Sequence, residues 1–273
     1  MSVIAETIDI IKEKAPAPLQ DVRVDDLVIG IFFTGIKLST GHGGCAFTPI
    51  GEIPEAVCCP TSAARMPHAG NLEGRPVSEM LPYALDHNVL KTAIGVAALN
   101  ALSQWIVESG KERDYELLKG KDGFDLLDIQ PYETVSLIGA FPPYIKRLKA
   151  MGNPFFIIEK NRQTLRPDEM KYFKPESEMK TALEKSQVVI STGTTIVNHT
   201  FDPILSLITH GKRMAIIGPT ASMLPHAFFN RGAHVLAGVN ILDPERMIKI
   251  LKQGGSAYHL LKECSQKIAF VKN

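Results

Sequence analysis

Five apolar runs in the second half of the chain each end in a small, polar or helix-starting segment. Strands are predicted at 135–140, 155–159, 187–191, 214–218 and 234–237. Between and after them fall helical patterns at 143–151, 176–185, 198–210, 224–231, 244–253 and 257–265. Continuous apolar runs bounded by turn residues suit strands buried on both faces. Their alternation with helices predicts a doubly wound parallel sheet with right-handed crossovers. In such a sheet the carboxyl ends of the strands form the ligand crevice.

The first half has a different rhythm. Ile4, Ile8 and Ile11 fall on one side of an amphipathic helix. A β-rich stretch, VRVDDLVIGIFFTGIKLST, breaks at Gly41-His42-Gly43-Gly44 and resumes as CAFTPIG, which predicts a hairpin with a glycine turn. An irregular, proline-containing stretch runs from Glu52 to Arg75, and a short helix opens at Pro76. Residues 88–107 are apolar on nearly all sides with small residues along one face, as expected of a central helix packed closely on a sheet. Trp105 falls on this helix, where core packing is its expected role. Residues 110–134 are charged and glycine-containing, as a domain connection would be.

Composition narrows the partners. The chain has 273 residues, enough for two domains, with 45% hydrophobic and 22% charged residues, ordinary for a globular protein. A net charge of +1 gives no case for a nucleic acid or an acidic membrane surface as partner. No window approaches 18 uninterrupted apolar residues, so no membrane partner is expected. The N-terminal residues mix acids with hydrophobics and do not read as a secretory signal. Cys45, Cys58, Cys59 and Cys264 show no disulfide spacing, and reduced thiols in a cytoplasm are expected.

Three strand endings carry the chemistry. At the first, Gly139-Ala140-Phe141-Pro142-Pro143, a dinucleotide fold would place its glycine fingerprint, but only Gly139 is glycine and Phe141 crowds the pyrophosphate position. Glu159 follows Gly139 by 20 residues and ends the next strand, where an acid commonly meets a ribose hydroxyl. The second ending, Ser191-Thr192-Gly193-Thr194-Thr195, leads to Asn198, and the third is Gly218-Pro219-Thr220-Ala221-Ser222. Hydroxyls and bare amides at helix starts suit a carboxylate, phosphate or oxyanion, although helix capping uses the same residues. His42, Cys45, Cys58, Cys59 and His68 lie close in sequence and supply soft ligand types, yet match no compact zinc spacing. His199 and His226 start helices beyond the second and third turns and are within reach of the crevice. There is no nucleophile elbow, P-loop or HExxH motif.

The strings IGAFPPYIKRL, FFIIEKN, VVISTGTTIVNHTFDPIL and MAIIGPTASMLPHAFFNRGAHVLAGVNILDPERMIKILKQGG occur in the order of, and resemble, the heavy-metal chelation domain family. LDHNVLKTAIGVAALNALSQ resembles the end of that family's companion domain. The Cys58-Cys59 and His68 segment is not part of the family pattern. The resemblance implies an α/β protein: an α+β enolase N-terminal-like domain over 1–109, a connection over 110–134, and a Rossmann-like doubly wound parallel sheet over 135–273. It also implies a site in the cleft between the domains.

The combined expectation is a small anionic or metal-chelating ligand in that cleft. Gly139, Phe141, Glu159, Gly193, Thr194, Thr195, Asn198, Gly218, Pro219, Thr220 and Ser222 form one rim. Thr40 and His42 of the hairpin, with Asn88 and Lys91 at the start of the central helix, form the opposite wall. A metal ion is the cofactor this expectation leaves open, with Glu159 as its first candidate ligand. The rival expectation is an enzyme with a nucleotide- or adenosyl-type cofactor over Gly139 and Glu159.

Overall fold

The structure is a computed structural model and describes residues 1–52, 66, 68–110, 114–208 and 211–272. Its first half begins with helix α1 (Val3–Lys14), whose start is capped by the Ser2 hydroxyl accepting from the Ala5 amide at 3.2 Å. The helix buries Val3, Ile4, Ile8 and Ile11. Strands β1 (Val24–Ile29), β2 (Phe33–Leu38) and β3 (Gly43–Phe47) form an antiparallel sheet in that order. The predicted hairpin joins β2 to β3, with Gly41 at φ 81° in its turn.

Helix α2 (Val89–Glu108) lies across this sheet. A Cβ on Gly44 would sit 2.2 Å from the carbonyl oxygen of Ala97, so the small residues of sheet and helix allow backbone to meet backbone. Among the described residues α2 alone has the length and hydropathy to cross a membrane, and 72% of that stretch is buried inside the protein. Its all-round apolar surface is therefore explained by two flanking layers of protein. Trp105 is partly buried against the same core.

The second half forms one eight-stranded sheet. Its strands are β4 (Tyr115–Lys119), β5 (Val135–Ile138), β6 (Phe155–Ile158), β7 (Phe173–Lys174), β8 (Val188–Thr192), β9 (Arg213–Ile217), β10 (Val235–Ile241) and β11 (Ser265–Lys272). The order across it is β4-β11-β10-β9-β8-β5-β6-β7. Neighbours from β10 to β7 pair in parallel, while β11 and β4 add an antiparallel edge. From β5 the chain winds outward to β7 and then returns to β8 on the other side. The switch point for a ligand crevice therefore falls between the ends of β5 and β8.

Helices α3 (Pro142–Met151), α4 (Met179–Lys185), α5 (Thr194–Val197), α6 (Phe201–Ser206), α7 (His226–Phe229), α8 (Pro244–Lys252) and α9 (Ala257–Glu263) connect the strands. Alternate strand residues go to opposite faces. Ile138, Ile158, Val189 and Ile216 join α1, α2, α4 and α6 in the larger core, whereas Leu137, Ile157, Ile190 and Ile217 pack with Tyr144, Ile145 and Leu148 of α3. A third cluster joins Phe33 and Cys45 to Val239, Ile241 and the residues of α8.

The structure corrects three expectations. Residues 115–119 are not linker but the edge strand β4, whose charged, half-exposed YELLK sequence carries little strand signal. The pattern predicted as helix to residue 265 ends at Glu263, and 265–272 is a strand that buries only Ile268, Ala269 and Phe270. Of the helix predicted over 198–210 only Phe201–Ser206 is helical, and His199, at φ 59°, separates it from a short piece at Thr194–Val197 that precedes the expected start.

Candidate functional site

The third turn begins at Gly218, at φ 132°, where a side chain would be strained. Its two hydroxyls are committed within the protein. The Thr220 hydroxyl accepts from the Phe47 amide at 3.0 Å, and the Ser222 hydroxyl accepts from the Val239 amide at 2.9 Å while donating to the Pro219 carbonyl at 2.8 Å. From α2, the Asn100 amide group donates to the carbonyls of Cys45 at 2.7 Å and Thr220 at 3.0 Å. This turn fastens the first domain to the carboxyl edge of the large sheet. Thr220 and Ser222 were expected as ligand hydroxyls; in the structure both make these internal bonds, and Thr220 also lines a cavity.

The second turn is also largely self-satisfied. The Thr195 hydroxyl donates to the Thr192 carbonyl at 2.7 Å, and the Thr192 hydroxyl accepts from the Thr194 hydroxyl at 3.2 Å. The Gly193 amide bonds the Ile217 carbonyl at 2.9 Å. Asn198 accepts from the Thr200 hydroxyl at 2.7 Å and donates to Glu52 of the first domain at 3.5 Å.

At the first turn, Pro142 and Pro143 occupy the opening positions of α3 and carry no N–H, and the amides of Tyr144 and Ile145 both bond the Phe141 carbonyl. The expected row of free amides is absent from that helix start. Glu159 does turn toward Gly139, but as an internal acceptor: its carboxylate takes the Ala140 amide at 2.9 Å and the Asn161 amide at 3.1 Å.

The single pocket expected along the three turns is two cavities. The larger, about 330 Å³, is walled by Phe141, Gly193, Thr194, Gly218, Pro219 and Thr220, with Ile217 and Ala237 behind them. Phe33 supplies a wall from the first domain, and Ala257 and Leu261 of α9 flank it. The smaller, about 80 Å³, is lined by Gly139, Glu159, Thr195 and Asn198 with Ile138, Ile158 and Ile204. Thr192 and Thr194 line both, so the second turn divides them across the sheet.

The expected opposite wall is also corrected. His42 bonds Thr40 at 3.0 Å and Glu108 at 3.1 Å, at the C-terminal end of α2. Asn88 caps the other end, and Lys91 pairs with Asp86 there at 3.0 Å. A helix of 20 residues holds these ends about 30 Å apart, so the two pairs cannot wall one site. None of the four lines either cavity.

Sequence reasoning missed the polar end of the larger cavity. Asp122 accepts from the Tyr144 hydroxyl at 2.8 Å, the Phe124 amide at 3.0 Å and Lys267 at 2.6 Å. Burial works against its carboxylate, but the Lys267, Tyr144 and Phe124 hydrogen bonds outweigh it and hold the pKa below the ordinary aspartate value. Burial, with Asp122 adding to it, raises the pKa of Tyr144, which stays a protonated donor. Lys121 lines the same end and has no ion-pair partner among the described residues. These positions were legible only once β4 and β11 were known to be strands, because those strands place Lys121 and Lys267 beside α3.

The chain from residue 122 to 270, more than half of its length, matches the model of the DUF364 family, described as "Putative heavy-metal chelation". The chain belongs to the DUF364 family. Residues 11–103 match the DUF4213 model, which carries the same description. An uncharacterised protein of Methanocaldococcus jannaschii is 28% identical over 197 residues, 70% of each chain. Two DUF364 crystal structures share the fold. The one from Pyrococcus horikoshii is 22% identical with TM-score 0.77, covering 99% of this chain and 100% of its own. The one from Desulfitobacterium hafniense is 20% identical with TM-score 0.72, covering 98% of both.

The DUF364 description raises the question of a directly bound heavy metal, and the described residues do not fit one. Burial pushes the Cys45 thiol up to about 12 and Cys264 to about 11, so neither offers a thiolate. No group of three or more His, Cys, Asp or Glu among the described residues could hold a metal ion. His199 contacts the Asp86 carbonyl at 2.8 Å, His226 pairs with Asp114 at 3.0 Å, and His234 accepts from the Met214 amide at 3.3 Å. Cys58, Cys59 and His210 lie outside the described residues.

Proposed function

We propose that this DUF364 protein binds a small organic ligand, an anion or a metal chelate, in the larger cavity between its domains. The observation that carries this reading is the cavity itself. It is about 330 Å³, within the size range of small-molecule sites, and its walls come from three strand ends and from Phe33. It also sits at the carboxyl edge beside the topological switch point. Under this reading a heavy metal is cargo: it enters inside its organic ligand, because the surrounding side chains are mostly apolar. Gly193, Thr194, Gly218 and Pro219 act as a close backbone wall. A cytoplasmic setting, with Cys45 and Cys264 reduced, belongs to the same reading.

An enzyme with a nucleotide- or adenosyl-type cofactor draws less support. Glu159, the acid that would meet a ribose, is bonded to two backbone amides and faces the cavity of about 80 Å³.

Native mass spectrometry of gently purified protein tests the proposal. Leu261 is 37% exposed and lines the cavity, so Leu261→Trp narrows the space without changing the backbone bonds. A small molecule carried by the wild type and lost in Leu261→Trp supports the reading. A molecule retained equally by both contradicts it.

A further inference from the structure

Resting on the binding function proposed above, we infer that the cavity takes a flat, largely apolar molecule bearing one carboxylate or similar oxyanion, with the charged group held between Lys121 and Lys267. The charge count at that end favours an anion. Lys121, Lys267 and Asp122 are the charged groups lining the cavity, and together they leave one positive charge. The Asp122 charge is offset at short range by the Lys267 ammonium, and its oxygens also accept hydrogen bonds from Tyr144 and Phe124. The same bonds fix the Lys267 ammonium at the cavity while two of its three donors remain to be used. Lys121 brings a second ammonium with no competing carboxylate among the described residues.

The position of this end is set by close packing. A Cβ on Gly123 would lie 2.6 Å from Cβ of Ala237, so the Lys121–Asp122–Gly123 turn rests directly on β10. Away from the lysines the walls change character. Phe141 stacks on Tyr144 with ring centres 5.2 Å apart and planes at 23°, giving one aromatic wall, and Phe33, Val239 and Leu261 complete the apolar interior. Such walls favour a ring system over a sugar or a flexible polar chain, whose hydroxyls would go unpaired there. One charged end and one apolar body together define the class: an aromatic or heteroaromatic carboxylate.

Isothermal titration with 2-naphthoate and its neutral isostere 2-naphthamide tests the assignment. The wild type is expected to bind the carboxylate about tenfold or more tightly than the amide, in keeping with a charge-assisted contact. Lys121→Met removes no internal bond, so it should fold normally, lower that preference severalfold and leave naphthamide affinity unchanged. Lys267→Met should abolish or reverse the preference, because it also uncovers the charge of Asp122. Equal wild-type affinity for the two probes overturns the lysine assignment while leaving the cavity as the binding site. A preference that survives in both variants also overturns it. If neither probe binds, the aromatic-acid class fails, whereas the co-purified ligand experiment above decides the cavity reading independently.

Discussion

The Thr220 hydroxyl, at the end of a strand in the second domain, accepts the backbone amide of Phe47, the last residue of β3 in the first. Thr220 is 2% exposed, so this bond joins the domains at a largely buried site. Thr220→Val keeps the shape and leaves the Phe47 amide with no acceptor there. The expected cost is about 1–3 kcal/mol of stability, measured by urea denaturation, with Thr220→Ser restoring most of it.

The spacing of Glu159 from Gly139 marks it in the sequence as a ligand-facing acid. The structural relation is an internal clamp on Ala140 and Asn161. Glu159→Gln is therefore expected to cost stability, about 0.5–1.5 kcal/mol for charge-assisted bonds at a partly exposed site, and to leave binding in the larger cavity unchanged. Parallel denaturation and titration of this variant check both halves of that expectation.

The alternating half of the chain was readable because buried parallel strands are continuous apolar runs. All five of those strands appear, at 135–138, 155–158, 188–192, 213–217 and 235–241. The site was less readable for a physical reason. Polar residues at strand ends serve as caps, locks and ligands alike, and sequence does not say whether the Thr220 hydroxyl meets Phe47 or a bound molecule. The lysine end was hidden for another reason: the edge strand β4 and its neighbour β11 have mixed polarity, and Lys121 and Lys267 come to line one cavity only because these strands pair.

His226 gives a pH signature. Burial, opposed by Asp114 and assisted by Lys14, lowers its pKa, so the folded protein resists protonating it. At high pH both folded and unfolded forms are neutral and the residue has no linkage effect. As pH falls through the ordinary histidine range, about 6.5, the unfolded state takes up the proton first and stability declines toward the lower folded value. Thermal melts between pH 7.5 and 5 should show this decline, and His226→Gln should flatten it. A decline of equal slope in the variant would assign the effect to other groups.

Cys45 is 1% exposed and Cys264 4% exposed, and burial raises the pKa of both thiols. Peptide mapping after iodoacetamide treatment at pH 8 should leave both unmodified in native protein and modify both in urea. Rapid native alkylation of either would show a thiolate that the packing does not predict.

Ligand binding at the Phe33 side of the sheet is the central claim, and methyl NMR addresses it most directly. The protein, labelled at isoleucine, leucine, valine and alanine methyls, is titrated with 2-naphthoate. The expected result is saturable shifts at Ile217, Ala237, Val239, Leu261 and Ile268, which line the larger cavity, with Ile138, Ile158 and Ile204 unmoved. Shifts confined to Ile138, Ile158 and Ile204 would place binding in the smaller cavity across the sheet and contradict the account.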